Sequence, residues 1–248
     1  MEAIPLRLTI LGMNGPYPAS GSACSGYLVT EGDTCIQLDL GTGCLSALTA
    51  LVPPERLTAL VLSHWHFDHA SDLLPLTYRM ADMTQRGCAP LQVFGPVDAA
   101  SPIRQAVSGC AAMKLADVAP GDRLTLGNIT LEVFRARHPV PAVMYRLTGA
   151  DGKVLCFTGD TNTVEGLREF ARDADLLLAD GLFPTEAWAE GKPHLSALQT
   201  AELARDAGAK RLVITHLSPL FDENQLLFEA REAFPGAELA RCGGVWEL

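Results

Sequence analysis

The stretch VLSHWHFDHASD, residues 61–72, places three histidines and an aspartate within six consecutive positions. It continues an apolar run that is typical of a buried β-strand. If the chain stays extended here, alternation points His64, His66 and Asp68 to the same side, and a turn is needed to bring His69 beside them. A histidine-rich surface loop is the alternative, but the added Asp-His pair and the interleaved aromatic residues favour a metal site.

The length and composition fit one domain over residues 1–248. Hydrophobic residues make up 48% of the chain and charged residues 19%, which predicts a substantial core. No linker, low-complexity tract or short repeat interrupts the sequence. The chain has no run of eighteen apolar residues, so we expect no membrane span. The start, MEAIPLRLTILG, lacks the basic region and cleavage site of a signal peptide.

Cysteine usage and net charge narrow the function classes. Seven cysteines form no C-x-x-C pair, which indicates reduced thiols in a cytoplasmic protein. The formal net charge is −10. Binding a long nucleic acid requires a basic face that neutralises phosphates, so we expect no long nucleic-acid partner.

Ten strand-like runs fall in two groups along the chain, with helical patterns between them. The first group is LRLTILG, SGYLVT, CIQLDLG, LTALVLS and LQVFGP. The second is NITLEVFRARH, AVMYRLTG, KVLCFTGD, DLLLAD and RLVITH. Helices are predicted over 45–51, 72–86, 164–174, 195–207 and 223–234. This order predicts a layered α/β sandwich with helices outside the sheets.

Several predicted strands end in a residue type that binds metals. These residues are Asp39, His64, Asp160, Asp180 and His216. Because sites in α/β folds gather beyond the carboxyl ends of strands, we expect one shared edge. Four ligands from the 64–69 turn cannot close two metal shells, and His138, Asp160 and His216 are available to complete them. Imidazole and carboxylate ligands suit two divalent metal ions. Zinc is the favoured metal, with manganese or iron as alternatives.

The motif SHWHFDH resembles the His-x-His-x-Asp-His signature of the metallo-β-lactamase superfamily. The segments LTILG, SGYLV, LDLGTG, HPVPAVMYRL, FTGDT and HLSALQTAELARDAGAKRLVITHLSP resemble the ribonuclease Z-like phosphodiesterases, and the similarity spans nearly the whole chain. The resemblance implies a four-layer αββα sandwich of two mixed sheets with helices outside.

The resemblance also assigns the metal ligands. It places one ion on His64, His66 and His138 and the other on Asp68, His69 and His216, with Asp160 bridging both. Asp39 in LDLG corresponds to a carboxylate behind the ligands that fixes the orientation of an imidazole.

Further along, His194 corresponds to the family's general acid. Asp180 stands where a glutamate usually holds that histidine, and a turn or helix-start carboxylate is its alternative role. The resemblance thus implies His194, Asp180 and the ligand Asp68 as catalytic residues. The implied reaction is cleavage of a small, cyclic nucleotide-like phosphodiester by a metal-bridging hydroxide.

The chain departs from true ribonuclease Z at one place. Those enzymes carry a long arm for transfer RNA between the third and fourth ligand motifs, whereas His138 and Asp160 are only 22 positions apart here (160 − 138). Transfer-RNA 3′ processing is therefore disfavoured, and the pattern is similar to that of the arm-less members.

Other functions and features stay open on the sequence alone. A lactonase or thioesterase-type hydrolase on the same dinuclear centre is the main alternative, and a non-catalytic metal-binding module ranks below it. The stretch LPLTYRMADMTQRG suits either a homodimer interface or internal packing. Among the aromatic residues, core packing is favoured for Phe67 and Phe183 over a place in a substrate pocket.

Overall fold

Two mixed β-sheets of seven strands form the centre of the structure, a computed structural model that describes residues 4–248. The first sheet has the order β14-β1-β2-β3-β4-β5-β6. Its strands are β1 (Arg7–Gly12), β2 (Gly26–Glu31), β3 (Thr34–Leu40), β4 (Ala59–Val61), β5 (Leu91–Pro96), β6 (Met113–Val118) and β14 (Val245–Glu247). Of the starting stretch MEAIPLRLTILG, the first three residues lie outside the described part.

The second sheet has the order β13-β12-β11-β10-β9-β8-β7. Its strands are β7 (Arg123–Leu126), β8 (Ile129–Arg135), β9 (Val143–Thr148), β10 (Val154–Phe157), β11 (Leu176–Asp180), β12 (Leu212–Thr215) and β13 (Glu238–Leu239). Both sheets have an antiparallel half and a parallel half: β3 to β6 run parallel in the first, and β10 to β13 in the second.

Helices cover the outer face of each sheet. Against the first sheet lie α1 (Cys44–Leu51), α2 (Phe67–Ala70), α3 (Leu73–Gln85) and α4 (Pro102–Ser108). Against the second lie α5 (Leu167–Ala171), α6 (Ala197–Ala207) and α7 (Glu223–Ala233). The predicted four-layer αββα sandwich is therefore confirmed.

Strand β11 shows why the sequences of the central strands are continuous apolar runs. Leu176 and Leu178 belong to the core between the two sheets, whereas Leu177 and Ala179 pack against the helices. Alternate side chains of one strand thus enter two different cores, and both faces exclude water. A strand buried on both faces needs apolar residues at every position.

All ten predicted strands are present, and the differences from the prediction lie at weakly patterned segments. Strands β6, β7, β13 and β14 and helices α2 and α4 were not predicted. Helix α5 is shorter than predicted and covers only Leu167–Ala171.

Within the described range 4–248, no helix combines the length and the apolar character that crossing a bilayer requires. On α3, Leu74 and Tyr78 are exposed to solvent. The homodimer and the cytoplasmic location stay predictions.

Candidate metal centre

The loop after β4 presents the first ligands, and its geometry corrects one expectation. The backbone remains extended as far as His66, at φ −64° and ψ 155°, and helix α2 begins at Phe67. Asp68 and His69 therefore project from a helical turn, not from an extended strand. The prediction that alternation aligns Asp68 with His64 and His66 was wrong in its geometry, although the three side chains do converge.

The first group of converging side chains contains three imidazoles. His66 Nδ1 lies 3.0 Å from His64 Nε2 and 3.1 Å from His138 Nε2. His138 follows β8, so this group joins loops from both sheets. Asp160 completes it, with Oδ2 at 3.6 Å from His64 Nε2 and 3.8 Å from His138 Nε2.

The second group uses residues from α2 and from the loop after β12. His216 Nε2 lies 3.1 Å from Asp68 Oδ2 and 3.4 Å from Asp160 Oδ2. His69 Nε2 lies 3.1 Å from Asp160 Oδ1. Asp160 is common to both groups, and within each group the potential ligand atoms all lie within 4.8 Å of one another. The structure thus brings the side chains of all seven residues predicted as ligands to one place. Their assignment to two ions stays a prediction.

Several polar atoms here are buried without the hydrogen bonds that burial normally demands. Among the described residues, His69 Nε2 and Asp160 Oδ1 are buried without a hydrogen bond, because their mutual geometry at 3.1 Å does not form one. Unpaired buried polar groups are costly and call for an explanation such as an ion. The lone pairs of imidazoles and carboxylates that face each other at these distances fit divalent cations of the zinc type.

Hydrogen bonds behind the ligands fix which nitrogen faces the centre. Asp39 Oδ2 lies 2.7 Å from His69 Nδ1 and also accepts from Ser63 Oγ at 2.7 Å. Ser63 Oγ in turn lies 3.0 Å from His64 Nδ1. One carboxylate therefore orients an imidazole in each group, leaving both Nε2 atoms free for a cation. Asp39 was predicted from the sequence, whereas Ser63 was not, because its only signal is its place directly before His64.

Asp39 and His216 also adopt unusual backbone conformations. Their φ values are 49° and 60°, in the left-handed region that residues other than glycine rarely occupy. Such strain concentrates at functional sites, where the surrounding fold enforces it.

Gly15 is a second site residue that was not predicted from the sequence. A Cβ built on it would lie 1.9 Å from His216 Nε2. The loop is held there because Gly15 N and the Asn14 side-chain amide both donate to Leu217 O. Only glycine allows the backbone to pass this close to the imidazole.

Burial and charge set the protonation of the histidines. Burial lowers the pKa of His138 to about 4 and holds the pKa of His64 well below its usual value. At His69 burial also acts to lower the pKa, but the carboxylates Asp160, Asp68 and Asp39 outweigh it and raise the pKa well above its usual value. In the same centre, the surrounding histidines outweigh burial and hold the pKa of Asp160 well below its usual value.

His194 and Asp180 form a pair beside the second group. His194 Nδ1 lies 2.7 Å from Asp180 Oδ2, and the His194 ring stacks on His216 with ring centroids 4.7 Å apart. The aspartate side chain therefore reaches the histidine despite being shorter than a glutamate. Burial acts to lower the pKa of His194, but the charges of Asp180 and Asp160 outweigh it and raise the pKa to about 9.

The chain places this pair through the start of α6. Ser196 caps that helix in a capping box with Gln199. The cap fixes the backbone two residues after His194, while Asp180 ends β11 and accepts a hydrogen bond from Thr161 N. The end of β11 and the start of α6, a helix that packs against the second sheet, thus hold the imidazole at the rim of the centre.

This fold and this cluster of histidines and carboxylates define a metal-dependent hydrolase. A family described as "Beta-lactamase superfamily domain" matches residues 38–217. The chain belongs to this superfamily, of the metallo-β-lactamase fold, and to its ribonuclease Z-like branch.

Individual relatives cover nearly the whole chain. The "Probable metallo-hydrolase YhfI" of Bacillus subtilis is 32% identical over 245 residues, which cover 98% of this chain and 100% of the relative. Its crystal structure superposes with a TM-score of 0.91 over 99% of this chain and 100% of that one.

More distant relatives extend the comparison. A "Ribonuclease Z" of Methanopyrus kandleri is 29% identical over 274 residues, with 96% of each chain covered. A solved structure described as a "New Diphosphatase from the PhnP Family" gives a TM-score of 0.74 at 16% identity, with 99% of this chain and 98% of that chain covered, and shows a shared fold alone.

Proposed function

We propose that this hydrolase cleaves small phosphodiesters at a centre of two divalent metal ions, with zinc as the favoured metal. The observation that carries the proposal is the His194–Asp180 pair, 2.7 Å apart at the rim of the cluster. With Nδ1 engaged by Asp180, His194 has Nε2 left to donate a proton. Phosphodiester cleavage expels an alkoxide that needs such a proton, whereas the opening of a strained or activated acyl ring depends on it less.

The ligand set supports the use of two ions. Three imidazoles form one group, and two imidazoles with a carboxylate form the other, with Asp160 shared. Ions held there would activate the attacking water and neutralise charge on the phosphoryl oxygens. The chain's own part is to keep His64 and His69 turned towards the centre through Ser63 and Asp39 and to deliver a proton from His194.

The short connection between His138 and Asp160 and the chain's charge favour a small substrate. Between His138 and Asp160 the chain forms β9, a tight turn and β10, and Gly149 N donates to Lys153 O in that turn. This connection has no room for an arm that grips transfer RNA. A net charge of −10 also opposes a long polyanion. A similar protein named as a ribonuclease agrees with phosphodiester chemistry.

The test is a substrate comparison on metal-loaded protein. We expect turnover of 2′,3′-cyclic nucleotides with a kcat/KM above that for a panel of lactones and thioesters, and loss of that turnover after chelation. A transfer-RNA precursor should be left uncut. Turnover of lactones or thioesters without any phosphodiester cleavage would contradict the proposal and would favour the acyl-hydrolase alternative.

A further inference from the structure

An aromatic side chain inside the ligand motif is exposed to solvent. Phe67 stands between the ligands His66 and Asp68, and 65% of its surface is accessible. The expectation that Phe67 packs in the core was wrong, because α2 begins at this residue and turns its side chain out of the sheet. Trp65, two residues earlier in the chain, packs in the core instead and donates from Nε1 to Pro96 O at 2.8 Å.

Phe67 forms one wall of a cleft that shares His66 with the metal centre. The other walls include His66, Pro102 and Val140, and the cavity has a volume of about 230 Å³. Pockets for drug-sized ligands usually have volumes of roughly 300–1,000 Å³. This smaller cleft therefore suits one ring system rather than a whole nucleotide. Because His66 also belongs to the metal centre, a group bound in this cleft would lie next to a phosphate bound at the centre.

The rim of the cleft carries a carboxylate. Asp98 lines the cleft, and its Oδ1 accepts from Ala100 N at 3.1 Å. Within residues 4–248, no lysine, arginine or histidine pairs with Asp98. Its second oxygen can therefore accept a hydrogen bond from an amino group at the edge of a planar ring.

A second cleft that borders the metal centre is lined by cationic side chains. It lies beside His138 and is lined by Arg137 and Lys192, and among the described residues neither forms an ion pair. In a chain with a net charge of −10, these cations draw the anionic part of a substrate to their side. The uncharged ring would then occupy the cleft beside Phe67, whose lining contains no lysine or arginine.

From these observations we infer that the Phe67 cleft, defined by Phe67, His66, Asp98, Pro102 and Val140, binds the amino-bearing nucleobase of a nucleotide substrate. The inference rests on the proposed phosphodiesterase function and names its substrate class. Phe67 stacks on the ring, and Asp98 accepts a hydrogen bond from the exocyclic amine. Stacking on an aromatic side chain contributes to affinity for any base, whereas the carboxylate discriminates among bases.

The experiment measures binding and turnover separately on metal-loaded protein. Calorimetry with adenosine monophosphate and with methyl phosphate tests ring binding without requiring catalysis. Hydrolysis of 2′,3′-cyclic AMP and of methyl riboside 2′,3′-cyclic phosphate, which lacks a base, tests turnover. We expect Phe67→Ala to weaken binding of adenosine monophosphate about tenfold or more relative to methyl phosphate. The kcat/KM ratio of the two cyclic esters should fall by a similar factor.

Matched variants make the result specific. Phe228→Ala removes a phenylalanine that is 68% exposed on α7 and should change neither ratio. Phe67→Trp should retain ring binding, whereas Phe67→Leu, which keeps an apolar side chain without a ring, should behave like Phe67→Ala. Asp98→Ala should weaken adenosine monophosphate but not the monophosphate of purine riboside, which lacks the amine. The metal content of each variant is measured alongside.

The outcomes separate this inference from the proposed function. Phosphodiester turnover with unchanged ratios in Phe67→Ala would overturn the nucleobase site and leave the phosphodiesterase standing. Phe67-dependent binding of adenosine monophosphate without phosphodiester turnover would leave the base site standing and overturn the phosphodiesterase. Failure of the wild type to prefer adenosine monophosphate over methyl phosphate, or full function of Phe67→Leu, would overturn the inference.

Discussion

His194 Nδ1 lies 2.7 Å from Asp180 Oδ2, and both side chains are buried beside the metal centre. The Asp180 carboxylate is held on its other side by Leu182 N, which donates to Oδ1 at 3.3 Å. A buried carboxylate fixed in this way orients the imidazole and stabilises its protonated form. The pair therefore supplies both the position and the proton that an acid in the proposed reaction requires.

Removing the charge of Asp180 should move the pH at which activity declines. Asp180, with Asp160, outweighs burial and raises the pKa of His194 to about 9. An acid acts in its protonated form, so kcat should fall as the pH rises through that pKa. Asp180→Asn removes one of the two raising charges, so we expect the alkaline decline to begin about one pH unit lower or more.

The measurement is kcat against pH for both proteins on the same cyclic ester. Bound ions act on the wild type and Asp180→Asn alike, so the difference between the two profiles reports the carboxylate. Coincident alkaline limbs, or a limb moved to higher pH, would count against the pair as the source of the proton.

Asp39→Asn should weaken metal binding although Asp39 is not itself one of the predicted metal ligands. Asp39 holds the Nδ1 side of His69 and, through Ser63, that of His64. Loss of such an outer hydrogen bond costs about 10- to 100-fold in metal affinity. Competition with a chromophoric chelator measures the change. Asp175→Asn is the matched control, because Asp175 is a buried carboxylate that pairs with Lys210 instead; an equal loss in both variants would contradict the role of Asp39.

Gly15→Ala should displace His216. The new Cβ would lie 1.9 Å from His216 Nε2, and the hydrogen bonds to Leu217 prevent the loop from retreating freely. We expect the protein to fold but to lose the ion of the second group, together with most of its turnover. Mass spectrometry under native conditions counts the ions. Gly109→Ala is the control, since its Cβ meets nothing nearer than 3.5 Å; full metal content in Gly15→Ala would contradict the close approach.

Two carboxylate variants should differ in the number of ions that they lose. Asp160 belongs to both groups of ligand atoms, whereas Asp68 belongs to one of them. We therefore expect two ions per wild-type chain, one in Asp68→Asn and less than one in Asp160→Asn. Equal metal content in the two variants would show that Asp160 is not shared.

Chelation should also lower the melting temperature of the wild type, because ions that bind the folded state in preference to the unfolded chain stabilise the fold.

Much of the fold could be predicted because the central strands are buried on both faces and read as unbroken apolar runs. Strand β6, MKLADV, mixes polar and apolar residues at the edge of its sheet and gives no such signal. Helix α4 did carry a sequence signal for its start: Ser101 caps it and Pro102 occupies its first position. It is only seven residues long, so its apolar periodicity is too short to detect.

The convergence of the site could be predicted because ligand-type residues follow strands whose ends meet at one edge. Its local geometry could not, because a period-two pattern does not reveal where α2 begins. Because α2 begins at Phe67, the Phe67 side chain is exposed. Asp68 therefore reaches the centre from a helical turn and not from an extended strand. The close passage of Gly15 over His216 depends on contacts between residues about 200 positions apart, which no local pattern encodes.

The most direct test of the central claim is how strongly the loss of His194 depends on the leaving group. Wild type and His194→Ala are compared on diesters whose leaving groups range from a nitrophenol to an aliphatic alcohol. A nitrophenolate departs without a proton, so the variant should be slowed only slightly. For the alcohol, the loss of kcat should reach about 10²-fold or more. A loss that is equally large, or equally small, for every leaving group would contradict proton donation by His194 and with it the proposed phosphodiester mechanism.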